Sequence, residues 1–143
     1  PLVIISGNGL GGDSISMFLK KMGKLFSNIH IVSNSFEWNK KGNAIAVKKP
    51  IIHGMNKDET VLHELPFFNE IKNRKNIILL GDSLGDPDMV NGFDYENIIR
   101  IGFLNEKTEE LLEKYSELYD ALILNDGSLS YVNSILKNLI NSK

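Results

Sequence analysis

The 143-residue chain is long enough for one domain that buries about two thirds of its unfolded surface, and too short for a second full one. With 42% hydrophobic and 24% charged residues, a net charge of -2 and no apolar run near the ~20 residues of a bilayer span, its composition argues against disorder, a membrane protein and a polyanion-binding surface. The absence of cysteine excludes disulfides and thiolate metal sites and points to a reducing, cytoplasmic setting.

Residues 2–5 (LVII) predict a strand that begins directly after Pro1. The glycine-rich SGNGLGGD, residues 6–13, then leads to a helix over about 14–24, with Asp13 as its N-cap and Ile15, Phe18, Leu19 and Met22 on one face. Residues 29–32 predict a second strand. Residues 35–48 predict a hairpin that turns at Asn39-Lys40-Lys41-Gly42, with Ala44 and Ala46 as small strand residues. A helical pattern runs over 58–74, but a proline inside it would remove a hydrogen bond, so the helix is expected to start at Pro66.

From residue 76 onward strands and helices alternate cleanly. Strands are predicted at 76–80, 98–103 and 121–124, and helices at 106–118 and 128–140, with a further helix opened by Asp86 as N-cap and Pro87 as first residue. Strands separated by helices of this length imply right-handed crossovers and a parallel sheet covered on both faces. Ligands of such sheets bind beyond the carboxyl ends of the strands. SGN, GDSLGD and Asn125-Asp126 fall on that edge, and Lys57, in HGMNKDE, can reach it.

GDSLGD, residues 81–86, supports two incompatible chemistries. Read as Gly-Asp-Ser-Leu it suggests a serine esterase with Ser83 as nucleophile, which needs a histidine base and an acid to orient it. Such esterases carry that pair as Asp-x-x-His late in the chain. Here His30, His53 and His63 are preceded at that spacing by Ser27, Pro50 and Thr60, and no histidine follows Ser83. The companion Gly-x-Asn-Asp block fails too, because Ile123-Leu124 precede Asn125-Asp126.

The second chemistry uses the carboxylates. Asp82, Asp86 and Asp88 follow a buried strand closely, and like charges about 4 Å apart cost roughly 4 kcal/mol at an effective dielectric of 20. A hard cation such as magnesium, which takes one or two carboxylates plus water and substrate phosphate, would relieve that cost. A plainer alternative has Asp86 capping a helix, Asp88 in its first turn and Asp82 facing solvent. Ser6 with the following amides suits a phosphate dianion, and Lys57 adds a positive charge; taken singly, these are better explained by a turn and a solvated lysine. Together on one sheet edge they describe phosphoryl transfer.

The order of Ser6 after a strand, Lys57 in a loop and Gly81-Asp82-Ser83-x-Gly85-Asp86 after another strand resembles the second to fourth motifs of the haloacid dehalogenase superfamily. ILLGDSLGDPDMVNG and the run from IGFLNEKTEE to SYVNSIL are similar to the C-terminal part of the cytosolic pyrimidine 5'-nucleotidases of type III. The resemblance implies a three-layer Rossmann-like core, incomplete at its N-terminal side, and magnesium-dependent hydrolysis of nucleoside 5'-monophosphates through an aspartyl-phosphate. Carried over, Asp82 is a magnesium ligand and Asp86 a ligand or a partner of the metal's water. Ser6 and the amides of Gly7 and Asn8 hold phosphate, Lys57 neutralises the transferring group, and Ser83 bonds within its own loop.

The chain departs from the family in two ways. Ser6-Gly7-Asn8 stands where Ser-Ala-Gly is usual, and no Asp-x-Asp-x-Thr occurs in the 143 residues. The expectation is therefore the C-terminal part of one core domain, over 1–143, begun at Pro1 between the cap and the second motif. The nucleophile strand and cap are absent, an unpaired sheet edge is left, and the chain has no turnover of its own. The alternatives are a nucleotidase-like binding domain without catalysis and a phosphatase of another small phosphorylated metabolite. No nucleic-acid or membrane partner is expected.

Overall fold

The computed structural model describes residues 1–53 and 65–141. Two compact units make it up, one comprising Pro1–Arg74 with Asp88–Asp94 and the other Lys75–Pro87 with Tyr95–Lys143.

In the first unit, β1 (Leu2–Ser6), α1 (Gly11–Lys21) and β2 (Ile29–Ser33) follow one another, and the two strands pair in parallel from Leu2 with Ile29 to Ser6 with Ser33. The helix starts at Gly11 rather than near residue 14, and Asp13 is not its cap. Leu10 is the N-cap residue and makes no side-chain cap bond; Asn8 Oδ1 accepts the amides of Leu10 at 3.1 Å and Gly11 at 2.8 Å, while Asp13 lies in the first turn, where its charge suits the positive helix end. Gly11 takes φ +76°, and a Cβ there would sit 2.8 Å from the Asn34 carbonyl oxygen, so only glycine makes this bend comfortably. Of the expected apolar face, Ile15 and Leu19 are half-buried, whereas Phe18 and Met22 are exposed.

The hairpin is as read: β3 (Phe36–Trp38) and β4 (Ala44–Val47) pair antiparallel. Asn39 Oδ1 accepts the amides of Lys41 and Asn43, and Gly42 turns at φ +78°. The helix expected from Pro66 is a single turn, α2 (Phe68–Ile71); Pro66 lies in the turn before it, closed by the Phe68 amide on the Leu65 carbonyl. The earlier part of that predicted helical pattern lies outside the described residues. Phe68 and Ile71 form the unit's core with Val32 and Ile52, and half-buried Val3, Ile5, Leu65, Phe67 and Phe93 pack against them.

The second unit holds β5 (Asn76–Gly81), β6 (Asn97–Leu104) and β7 (Ala121–Leu124), all parallel and in that order. α3 (Thr108–Leu118) joins β6 to β7, and α4 (Ser130–Asn141) follows. Its core is Ile101, Ile123 and Val132, with Ile78, Leu80, Ile99, Phe103 and Ile135 against them. Lys107, at φ 50° and ψ 40°, delays the start of α3 to Thr108. At Asp86 the chain forms a 3-10 helix, Asp86–Val90, in place of an α-helix, and one oxygen of the Asp86 carboxylate turns back to the amides of Asp82 and Ser83.

The α/β class with parallel strands is thus the one expected. The parallel strands form two ladders, β1–β2 and β5–β6–β7, and among the described residues β1 and β5 are each paired on one side. Both carry the nearly continuous apolar run typical of strands that are covered on both faces, LVIIS and NIILLG.

Candidate functional site

β5 ends at Gly81, and the chain folds back at once. One oxygen of the Asp86 carboxylate accepts the amides of Asp82 at 2.9 Å and Ser83 at 3.1 Å. Asp86 is 3% exposed, so these charge-assisted bonds are made away from water, where each counts for more. The carbonyls of the same two residues are held from elsewhere: the Tyr115 hydroxyl donates to that of Asp82 at 2.7 Å, and the Tyr119 hydroxyl to that of Ser83 at 2.5 Å. A Cβ on Gly81 would lie 2.5 Å from Asp86 Cβ and 2.7 Å from the Tyr119 hydroxyl, so the fold-back requires glycine at this position.

Burial, helped by the charges of Asp82 and Asp86, pushes the Tyr115 pKa above its ordinary value of 10.0. Burial and then Asp86 do the same, more strongly, for Tyr119. Both remain protonated donors at neutral pH. The outcome is an Asp82 that is exposed at the carboxyl end of β5 on a backbone fixed by three side chains. Ser83 takes part through its main chain, in keeping with a residue that bonds inside its own loop. Asp88 accepts a bond from the Asn91 side chain at 3.0 Å.

Among the described residues no group of three or more His, Cys, Asp or Glu side chains is placed to hold a metal by itself. The carboxylates of the loop, exposed Asp82 and buried Asp86, are donors of the kind that hold magnesium, which takes one or two carboxylates and completes its octahedron with water and phosphate oxygens.

The loop after β1 is built in the other unit. Ser6 Oγ accepts the Asn8 amide at 3.4 Å, and Asn8 Oδ1 accepts the amides of Leu10 and Gly11, so Ser6, Gly7 and Asn8 form a tight turn at the carboxyl end of β1. Sequence reading missed the residue that holds this turn. Asn34, buried just after β2, donates to the Asn8 carbonyl at 3.4 Å and the Ile52 carbonyl at 3.0 Å, and accepts the Ile52 amide at 2.8 Å. Gly7 closes against residues 52 and 53, where a Cβ would approach the Ile52 oxygen to 3.1 Å. Lys57 lies outside the described residues.

Asn34→Ala should therefore cost about 2–3 kcal/mol in a urea titration, because it strands a buried backbone amide and carbonyl together. A loss under ~0.5 kcal/mol would contradict the pinning role.

Comparison with known proteins bears on the same residues. The family described as pyrimidine 5'-nucleotidase (UMPH-1) matches residues 1–140. The chain belongs to the pyrimidine 5'-nucleotidase (UMPH-1) family. Relatives of the chain include the 7-methylguanosine phosphate-specific 5'-nucleotidase B of Xenopus laevis, 42% identical over 138 residues that cover 96% of this chain and 47% of that protein. The human 7-methylguanosine phosphate-specific 5'-nucleotidase is 38% identical over 141 residues, 98% of this chain and 46% of that protein. Among solved structures, that of cytosolic 5'-nucleotidase IIIB bound to cytidine superposes with a TM-score of 0.86 at 29% identity, covering 100% of this chain and 50% of that one. The chain thus spans about half the length of these relatives.

Proposed function

We propose that the protein containing this chain is a magnesium-dependent 5'-nucleotidase that hydrolyses nucleoside 5'-monophosphates to nucleoside and phosphate in the cytoplasm. The observation that carries the reading is the Gly81–Asp86 loop, where a buried carboxylate and two tyrosines hold Asp82 exposed beyond the end of a parallel strand. Membership of the nucleotidase family and the cytosolic name of the superposing structure support it.

In this reading Asp82 holds the cation, and Asp86 fixes the loop and either ligates the metal or holds its water. Ser6, with the amides of Gly7 and Asn8, binds phosphate, and Lys57 offsets charge as the phosphoryl group moves. The cation, when bound, supplies Lewis-acid stabilisation of the phosphate oxygens. The attacking aspartate comes from outside these residues, since no Asp-x-Asp-x-Thr occurs among them, and the chain is the C-terminal part of one core domain. The half-length match supports that division. The chain by itself is expected to be inactive.

For the base, pyrimidines come first, as in the family description; 7-methylguanosine monophosphate is the rival, since the relatives are named for it. The test is phosphate release from UMP, CMP and 7-methylguanosine monophosphate by the longest natural form of the protein. Release from at least one of them is expected with magnesium and not with EDTA. Release unaffected by EDTA would refute the metal role, and no release from any nucleotide would refute the activity.

A further inference from the structure

We propose that Tyr115 and Tyr119 are positioning residues for cation binding by Asp82. The inference rests on the metal role proposed above and adds the device that makes the loop rigid. Tyr115 lies near the end of α3 and Tyr119 just beyond it, and the rings stack with centroids 5.6 Å apart and an interplanar angle of 19°. Both are buried, and each hydroxyl is spent on one carbonyl of the metal loop.

With Asp86 on the amide side, both the donor and the acceptor of Asp82 and of Ser83 are engaged by side chains. The Asp82 Cα–Cβ direction is thereby set before any cation arrives, leaving two side-chain torsions to order on binding. Ordering that a ligand need not impose is affinity gained.

The sheet makes room for this arrangement. Gly81 and Gly102 face each other in the β5–β6 register. A Cβ on Gly102 would lie 2.8 Å from Tyr119 Cγ, and one on Gly81 2.7 Å from its hydroxyl. Two paired strands thus lack side chains at the points where the Tyr119 ring and hydroxyl pass. Packing alone would be served by phenylalanine; the hydroxyls bond only to the loop backbone among the described contacts.

The experiment compares wild type, Tyr115→Phe, Tyr119→Phe and the double variant in the longest natural form. Thermal unfolding is followed against magnesium concentration without substrate, and kcat against magnesium with it. Each single variant is expected to raise the magnesium needed for the half-maximal thermal shift about fivefold, and the double more than tenfold, with kcat largely recovered at saturating magnesium. Single and double variants that melt lower in EDTA yet keep the wild-type magnesium dependence would show a purely structural role and overturn the proposal. Should Tyr119→Phe fail to fold, Tyr115→Phe decides alone. A wild type with no magnesium-dependent shift or activity would instead sink the metal reading beneath it, a result distinguishable from failure of the tyrosine role.

Discussion

Asparagine in place of Asp82 should lower magnesium-dependent kcat about a hundredfold or more while leaving stability in EDTA within ~0.5 kcal/mol of wild type. The separation follows from the geometry: the fold uses the Asp82 amide and carbonyl, which asparagine keeps, and its exposed side chain carries the charge that a hard cation requires. Raising magnesium should recover part of the loss if Asp86 also ligates. Equal phosphate release from nucleoside monophosphates by the two proteins would remove the role assigned to Asp82.

Asp86 should behave in the opposite way. Asp86→Ala deletes the acceptor for two amides at a site that is 3% exposed, and two charge-assisted bonds of this kind imply a loss of about 3 kcal/mol or more in a denaturant titration, together with loss of activity. Asp86→Asn keeps an oxygen for the amides and removes the charge, so about half of that stability loss or less is expected. Activity of the asparagine variant then separates the two roles left open for this residue. A large rise in the magnesium requirement marks a ligand or a partner of the metal's water; an unchanged requirement restricts Asp86 to holding the backbone. An alanine variant as stable as wild type would show that the fold-back does not depend on Asp86.

The frame was legible in the sequence where apolar runs alternate with amphipathic stretches, from NIILL through SYVNSILKNLIN, because burial of apolar surface dictates those periods. The Asn39–Gly42 turn was legible for a local reason, a side chain that mimics the backbone followed by a residue free to take positive φ. What failed was the direction in which polar side chains point. Asp13 and Asp86 both stand where an N-cap belongs by spacing, yet the first amide of α1 goes to Asn8 Oδ1 and the Asp86 carboxylate reaches back to the Asp82 amide. A helix start looks the same in sequence whichever nearby oxygen supplies the acceptor.

The candidate site divided along the same line. The placement of Ser6, Asp82 and Asp86 at the ends of strands was legible because a turn signal directly after an apolar run survives translation into three dimensions. The roles of Asn34, Tyr115 and Tyr119 were not. Their bonds run to residues 18, 33 and 36 positions away, and YSELY reads equally well as an aromatic pair on a helix that faces the core. The one usable hint was the pair of glycines, one ending β5 and one inside β6, which anticipates something large lying against them.

The hairpin has an experimental consequence for this chain. Its only tryptophan, Trp38, stands 57% exposed on β3, whereas all four tyrosines, Tyr95, Tyr115, Tyr119 and Tyr131, belong to the unit that carries the Gly81–Asp86 loop. Each unit therefore has its own chromophore. Red-edge tryptophan fluorescence follows one and near-ultraviolet tyrosine dichroism the other, so superimposable melting curves would establish a single cooperative structure and separated ones two independently melting halves.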